Sequence, residues 1–281
     1  MTYIIAELGS VHDGSLGNAI HLIGACVTAG ADAVKLQDHR GEKVKGDPPW
    51  YRGHEQRGDY LKRTSFTQEQ WIRIHSTCLA HEVDLVVSPF SVEAVALLEE
   101  LPVDAYKIAS GQVTNLEMLR EIGSTGRRVY LSSGMTGYLE LEAAVSALCY
   151  DAPDRDCEYT ILQCTSAYPC PPETVGLNKV SEWLAREEGI VAPIGLSDHT
   201  LGFAASLAAI ALGATVIERH VTFHRDMYGT DACNSLTIEE FARFVREVRD
   251  LDVMLANPVD KDTLASSPEM LRMREAFLEQ P

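Results

Sequence analysis

Two spacings of apolar residues alternate along this chain. Compact, β-branched apolar runs occupy 3–7 (YIIAE), 32–37 (DAVKLQ), 83–90 (VDLVVSPF), 104–110 (DAYKIAS), 128–134 (RVYLSSG), 159–166 (YTILQCTS), 191–199 (VAPIGLSDH) and 215–220 (TVIERH). Between them, apolar positions recur every three to four residues, as in SLGNAIHLIGACVTAG, TQEQWIRIHSTCLAH and TIEEFARFVREVRDL. The first spacing predicts buried strands and the second amphipathic helices. Several helical stretches open on Ser, Thr or Asn and end at Gly, as capped helices do. Strand followed by helix, eight times over, predicts a parallel sheet, and eight such units close into a (β/α)8 TIM barrel, an α/β fold. The alternative is an open doubly wound sheet, but no GxGxxG opens the first crossover.

Two stretches depart from the rhythm. Residues 38–66 (DHRGEKVKGDPPWYRGHEQRGDYLKRTSF) separate the second strand from its helix, a connection of about thirty residues where a few are usual. Its tryptophan and charges fit a mobile cover over a site. After residue 255 the repeat stops, so the barrel is expected to span 1–255, and 256–281 to form an extension with a loop and a short helix.

Charge and cysteine usage narrow the partners. A formal charge of −17 with no dense basic run argues against nucleic acid and anionic membranes. It leaves room for a small anionic substrate held by a few local lysines. Seven cysteines without framework spacing, no leader-like start and no bilayer-length apolar run predict a reduced, cytoplasmic protein. Cys164 and Cys170 are expected to be structural thiols, since neither has a CxxC partner.

Barrel chemistry gathers where strands end. Those positions hold Glu7, Lys35, Gln37, Ser88, Lys107, Ser110, Gln112, Ser132, Ser133, Gln163, Thr165, Ser166, Tyr168, Ser197, Asp198, His199, Glu218 and His220. Packing does not explain a polar group at the end of every strand. Two lysines and several hydroxyls suit a phosphorylated anion. His199 and His220, on neighbouring strands, suit a shared divalent metal ion such as Mn, Zn, Fe or Co, with mixed N/O ligation favouring Mn²⁺. His12 belongs to the first βα loop and is a candidate for lining the site. His21, His75 and His81 fall on helices, His39 and His54 in the long loop, and His224 after strand eight.

The ordered motifs IIAELGSVHDG, GADAVKLQ, SPFSVEAVALLEELPVDAYKIASGQVTNLEML, LSSGM, CTSAYP, GLSDHTLGFAASLAAIALGATVIERHVTF and GTDACNSL resemble the N-acetylneuraminate (sialic acid) synthase family. The resemblance covers roughly residues 3–255. It implies a barrel that condenses phosphoenolpyruvate with a sugar aldehyde, N-acetylmannosamine or a relative, to give a nonulosonic acid and phosphate. It also implies a divalent metal, Mn²⁺ or Mg²⁺, and a homodimer. His199 and His220 match the family's metal ligands. Lys35 and Lys107 match the lysines that hold phosphoenolpyruvate, and Ser88, Ser110, Ser132 and Ser197 its hydroxyl contacts. Gln37, Tyr168 and Asp231 match positions that contact the sugar, and Glu7 a carboxylate beside the metal and reacting carbons.

Ser88 stands where many members have threonine, and this chain departs from the family pattern in three further respects. The family reads KIASGE where this chain reads KIASGQ, and the amide of Gln112 cannot take a proton near neutral pH. Ser166 stands where some members have asparagine, and the antifreeze-like C-terminal domain of many members is not expected here. These differences point towards a sugar other than N-acetylmannosamine. Another pyruvate-dependent barrel aldolase, or a barrel that binds a sugar without turnover, are the competing readings.

Overall fold

The computed structural model describes residues 1–42, 46–47, 55–150 and 157–278; Trp50 and His54 of the long connection lie outside them. Eight parallel strands form the centre: β1 (Tyr3–Gly9), β2 (Ala33–Asp38), β3 (Asp84–Pro89), β4 (Ala105–Ile108), β5 (Arg128–Ser132), β6 (Tyr159–Cys164), β7 (Ile194–Asp198) and β8 (Val216–Thr222). They lie in chain order, and β1 pairs with β8 from Tyr3↔Val216 to Glu7↔His220, which closes the barrel. Every predicted strand is present, with ends shifted by a few residues. A ninth, two-residue strand, β9 (Leu236–Thr237), adds to β8 outside the ring.

Helices cover the outside: α1 (Leu16–Thr28), α3 (Gln68–Ala80), α4 (Val92–Leu98), α5 (Leu116–Thr125), α6 (Tyr138–Leu148), α7 (Leu177–Leu184), α8 (Ala204–Ala211) and α9 (Ile238–Ala256). The side chains of Ser15, Thr67, Ser91, Asn115 and Thr237 cap α1, α3, α4, α5 and α9 by accepting a first-turn N–H. No helix among the described residues is long and apolar enough to cross a membrane.

The long connection contains a helix that the hydrophobic spacing does not predict, α2 (Arg57–Thr64). Tyr60, Leu61 and Thr64 form its buried face, and the Tyr60 hydroxyl donates to the Ser10 carbonyl at 3.3 Å. This part of the connection is packed onto the loop after β1 rather than loose. Beyond α9 two helices follow rather than one, α10 (Lys261–Ala265) and α11 (Pro268–Leu278), neither with a buried residue.

Strand alternation divides the barrel interior into two layers. Tyr3, Ile5, Ala33, Val86, Ala105, Tyr130, Leu162 and Val216 pack together as an apolar plug. Two residues further along, each strand turns polar: Glu7, Lys35, Ser88, Lys107, Ser132, Cys164 and Glu218. On β7, Gly195 takes the plug position, because a Cβ there would stand 2.5 Å from Leu162 Cδ2, and Ser197 follows it. The plug closes one end of the lumen, and the polar ring above it is the floor of a site.

Candidate functional site

The ring is organised around Glu218, which is 3% exposed. Its Oε2 lies 3.4 Å from Lys35 Nζ and its Oε1 3.5 Å from Lys107 Nζ. Ser197 donates to Glu218 Oε1 at 2.8 Å. Lys107 donates to Ser132 Oγ at 2.7 Å, and Lys35 to Ser88 Oγ at 3.4 Å. Glu7 Oε2 lies 3.2 Å from Lys35, and Glu7 Oε1 accepts from Gln37 Nε2 at 2.6 Å. Both lysines are thus buried, with a serine hydroxyl beside each ammonium.

One wall carries the imidazoles. The rings of His199 and His220 stand 5.5 Å apart, and Tyr168 stacks on His199 at 4.1 Å. His199 Nδ1 faces the Thr165 carbonyl at 3.0 Å, so Nδ1 carries a hydrogen. The turn bearing His199 is fastened from outside by Arg219, which is ion-paired with Asp198 and donates to the carbonyls of Thr200 and Gly202 at 2.6 and 2.9 Å. Asp231 Oδ2 accepts from Ser10 N and Ser10 Oγ, both at 2.9 Å. That clamp requires Gly9, at φ +50°, since a Cβ there would lie 2.3 Å from Asp231 Oδ2 and 3.5 Å from His220 Nδ1.

Beside His199, past Cys164, Gly134 opens a small cradle. A Cβ at Gly134 would meet Ser166 Oγ at 2.5 Å, Ser110 Oγ at 2.6 Å and Cys164 Sγ at 3.0 Å. Ser110 Oγ accepts from the Gly134 N–H at 3.1 Å. Hydroxyl and amide groups there surround a space that any larger residue would fill.

Burial and mutual charge set the protonation states. Burial, opposed by Lys35 and reinforced by Glu218 and Asp231, pushes the Glu7 carboxyl up to about 7. Burial acts the same way on Glu218, but Lys107, Lys35 and the Ser197 hydroxyl outweigh it and hold Glu218 far below the usual range. Burial lowers Lys107, only partly offset by Glu218, whereas Lys35 is raised because Glu218 and Glu7 overcome its burial. Burial pushes His220 down to about 4 against the pull of Asp231, so its ring is neutral at pH 7.

The NeuB family profile matches residues 22–260. The chain belongs to the NeuB family. It is 31% identical over 291 residues to the N,N'-diacetyllegionaminic acid synthase of Campylobacter jejuni, covering 99% of this chain and 84% of that one. It is 32% identical over 263 residues to the N-acetylneuraminate-9-phosphate synthase of Homo sapiens, covering 91% and 72%. Among solved structures, the N-acetylneuraminic acid synthetase of Leptospira borgpetersenii in complex with citrate superposes with a TM-score of 0.78 at 26% identity, covering 99% of this chain and 92% of that one.

In this NeuB-family chain, the structure brings Glu7, Lys35, Gln37, Ser88, Lys107, Ser132, Ser197, His199, His220 and Asp231 to one end of the barrel. Ser110 and Ser166 meet at the Gly134 cradle, and Tyr168 covers the imidazoles. Gln112 follows β4, and its Oε1 accepts from Asn115 Nδ2 at 3.1 Å. His12 is 3% exposed, and its Nδ1 accepts from Gly14 N at 3.1 Å, so it shapes the loop after β1.

Two residues of the site were given no role from sequence. Glu218 is the hub of the ring, and Cys164, expected to be a structural thiol, faces Ser110 Oγ at 3.6 Å and His199 Nδ1 at 4.0 Å. The two-residue step from Val216 and Leu162 of the plug is the signal that finds both.

A divalent ion fits the imidazole pair. Among the described residues no cluster of three or more His, Cys, Asp or Glu side chains is arranged to hold a metal. The two rings, however, are close enough for one ion bonded at about 2.1 Å to reach both. His220 Nδ1 is buried with no hydrogen-bond partner, whereas Glu7 Oε2 and Glu218 Oε2 face the Lys35 ammonium at 3.2 and 3.4 Å. His199 and His220 would supply the protein ligands, with substrate and water completing the shell.

Proposed function

We propose that this chain condenses phosphoenolpyruvate with a sugar aldehyde, of the N-acetylmannosamine kind or another aldose, to give a nonulosonic or related 3-deoxy-2-ulosonic acid and inorganic phosphate. The observation that carries this reading is the buried pair Lys35 and Lys107, held 3.4 and 3.5 Å from opposite oxygens of Glu218, with the His199 and His220 rings at the same barrel end. Its relatives' names as synthases of legionaminic acid and N-acetylneuraminate 9-phosphate support it. At 31% and 32% identity, neither of those relatives selects the sugar.

Lys35 and Lys107 would take the carboxylate and phosphate of phosphoenolpyruvate, with Ser88, Ser132, Ser110, Ser166 and Ser197 adding hydroxyl donors. A divalent cation, Mn²⁺ or Mg²⁺, would polarise the aldehyde oxygen of the sugar. Carbon 3 of phosphoenolpyruvate attacks the aldehyde carbon, and carbon 2 gains oxocarbenium character. Glu7 orients water toward carbon 2 and takes its proton, a role suited to a carboxyl pushed up to about 7. The tetrahedral carbon then expels phosphate, whose charge the lysines stabilise. Gln37, Tyr168 and Asp231 line the side where the sugar stands. A homodimer belongs to the same reading, supported by the exposed Leu271, Met273, Phe277 and Leu278 on α11; a monomer by light scattering would remove it.

The test is a panel of aldoses, N-acetylmannosamine included, with phosphoenolpyruvate and Mn²⁺. Phosphate released in step with a product of the summed mass, less phosphate plus water, supports the reading. No phosphate with any aldose, or phosphate released with pyruvate as the only organic product, overturns it.

A further inference from the structure

His39 directly follows β2, and its ring lies on Phe90 at 4.0 Å between centroids. It stands in a hydrogen-bonded chain that begins at the buried Glu7. Gln37 Nε2 donates to Glu7 Oε1 at 2.6 Å, and Gln37 Oε1 faces His39 Nε2 at 2.8 Å. His39 Nδ1 faces Glu42 Oε2 at 2.6 Å, and Arg57 Nη2 donates to Glu42 Oε1 at 3.0 Å. Arg57 opens α2, so the chain runs from the reacting centre into the long connection.

The direction of these bonds follows from one end. A carboxylate acting as base accepts only, so Gln37 must present its NH2 group to Glu7. Its carbonyl then faces His39, and Nε2 of that ring must carry a hydrogen. An amide passes on orientation and no proton, so the chain sets geometry rather than relaying protons. With Glu7 Oε1 anchored, Glu7 Oε2 is the oxygen left facing Lys35.

We infer that His39 is a positioning residue: it locks the Gln37 amide and so aims Glu7 at the reacting carbons, coupling the long connection to the step that needs the base. This rests on the synthase reading above. Without the His39 donor the Gln37 carbonyl loses its anchor, and the amide no longer holds Glu7 Oε1 in a fixed place. The grip on phosphoenolpyruvate, made by other residues, is untouched.

The test compares His39→Phe, which keeps the ring stacked on Phe90 but loses the donor, with His39→Gln, which restores an N–H at the position of Nε2. His39→Phe should lower kcat about 10- to 100-fold, the scale for losing an orienting partner, with KM for phosphoenolpyruvate within about twofold. His39→Gln should recover most of kcat. In a Gln37→Ala background His39→Phe should cost little more, since both act through one amide. Histidine ¹⁵N NMR of the substrate-free protein should show a protonated His39 Nε2 whose signal shifts in Gln37→Ala. An unchanged kcat in His39→Phe, additive effects of the two variants, or a His39 signal indifferent to Gln37→Ala overturns the inference. The NMR arm needs no turnover, so it separates this failure from failure of the synthase reading.

Discussion

At the scale of single residues, the site is a problem of buried charge. Glu218 is stable as a carboxylate only because Lys107 and Lys35 flank it. Lys107→Ala therefore removes a substrate contact and leaves Glu218 short of a partner. It is expected to weaken phosphoenolpyruvate binding by about 1.5–3 kcal/mol, read by calorimetric titration. Glu7 gives a pH signature. Its carboxyl lies near 7, so the base form grows as pH rises, and kcat/KM should climb through about pH 7 and level off above it. Glu7→Gln should lose both most of the activity and that limb; a limb that survives the substitution would assign the base elsewhere. The lysines, the imidazoles and Glu7 were legible as strand-end polar groups. Glu218 was legible as a strand-end polar group but not as the hub of the ring, and Cys164 reads as a structural thiol, because which strand-end groups meet depends on strand registers.

At the scale of elements, the loops after β1, β5 and β8 do the shaping. Gly134 is where the loop after β5 approaches Ser110, Ser166 and Cys164. Gly134→Ala should fill the cradle and raise the Kd for phosphoenolpyruvate at least about tenfold, because a methyl group there displaces hydroxyl donors worth roughly 1.5 kcal/mol or more. The melting temperature should change little; equal losses of binding and folding would make the glycine merely structural. The eight strands and their helices were readable from spacing alone, since burial on both faces yields continuous apolar runs. Helix α2 was not readable. Only Tyr60, Leu61 and Thr64 face inward, and the charged remainder of GDYLKR resembles a solvated loop.

At the scale of the whole molecule, closure of the barrel joins β1 to β8 and sets Glu7 beside His220 in register. This pairing of residues more than two hundred positions apart follows from counting eight units, which is why the fold was legible when individual roles were not. Buried histidines tie stability to pH. Burial holds His12 down at about 4, below its ordinary 6.5, so the folded state resists a proton that the unfolded chain accepts. Its contribution is present above pH 6.5 and is lost as pH falls through 4, by up to about 3 kcal/mol. His12→Asn keeps an acceptor for Gly14 N and should flatten that part of the urea-unfolding profile between pH 7 and 4; an unchanged slope would place the acid sensitivity elsewhere.

The central claim is that the imidazoles of adjacent strands share one cation beside the paired lysines. Titration of Mn²⁺ followed by the EPR signal of the free ion tests it most directly. The account predicts one Mn²⁺ per chain, tighter binding in the presence of phosphoenolpyruvate, and loss of that site in both His199→Ala and His220→Ala. Undiminished Mn²⁺ binding in those two variants would contradict it.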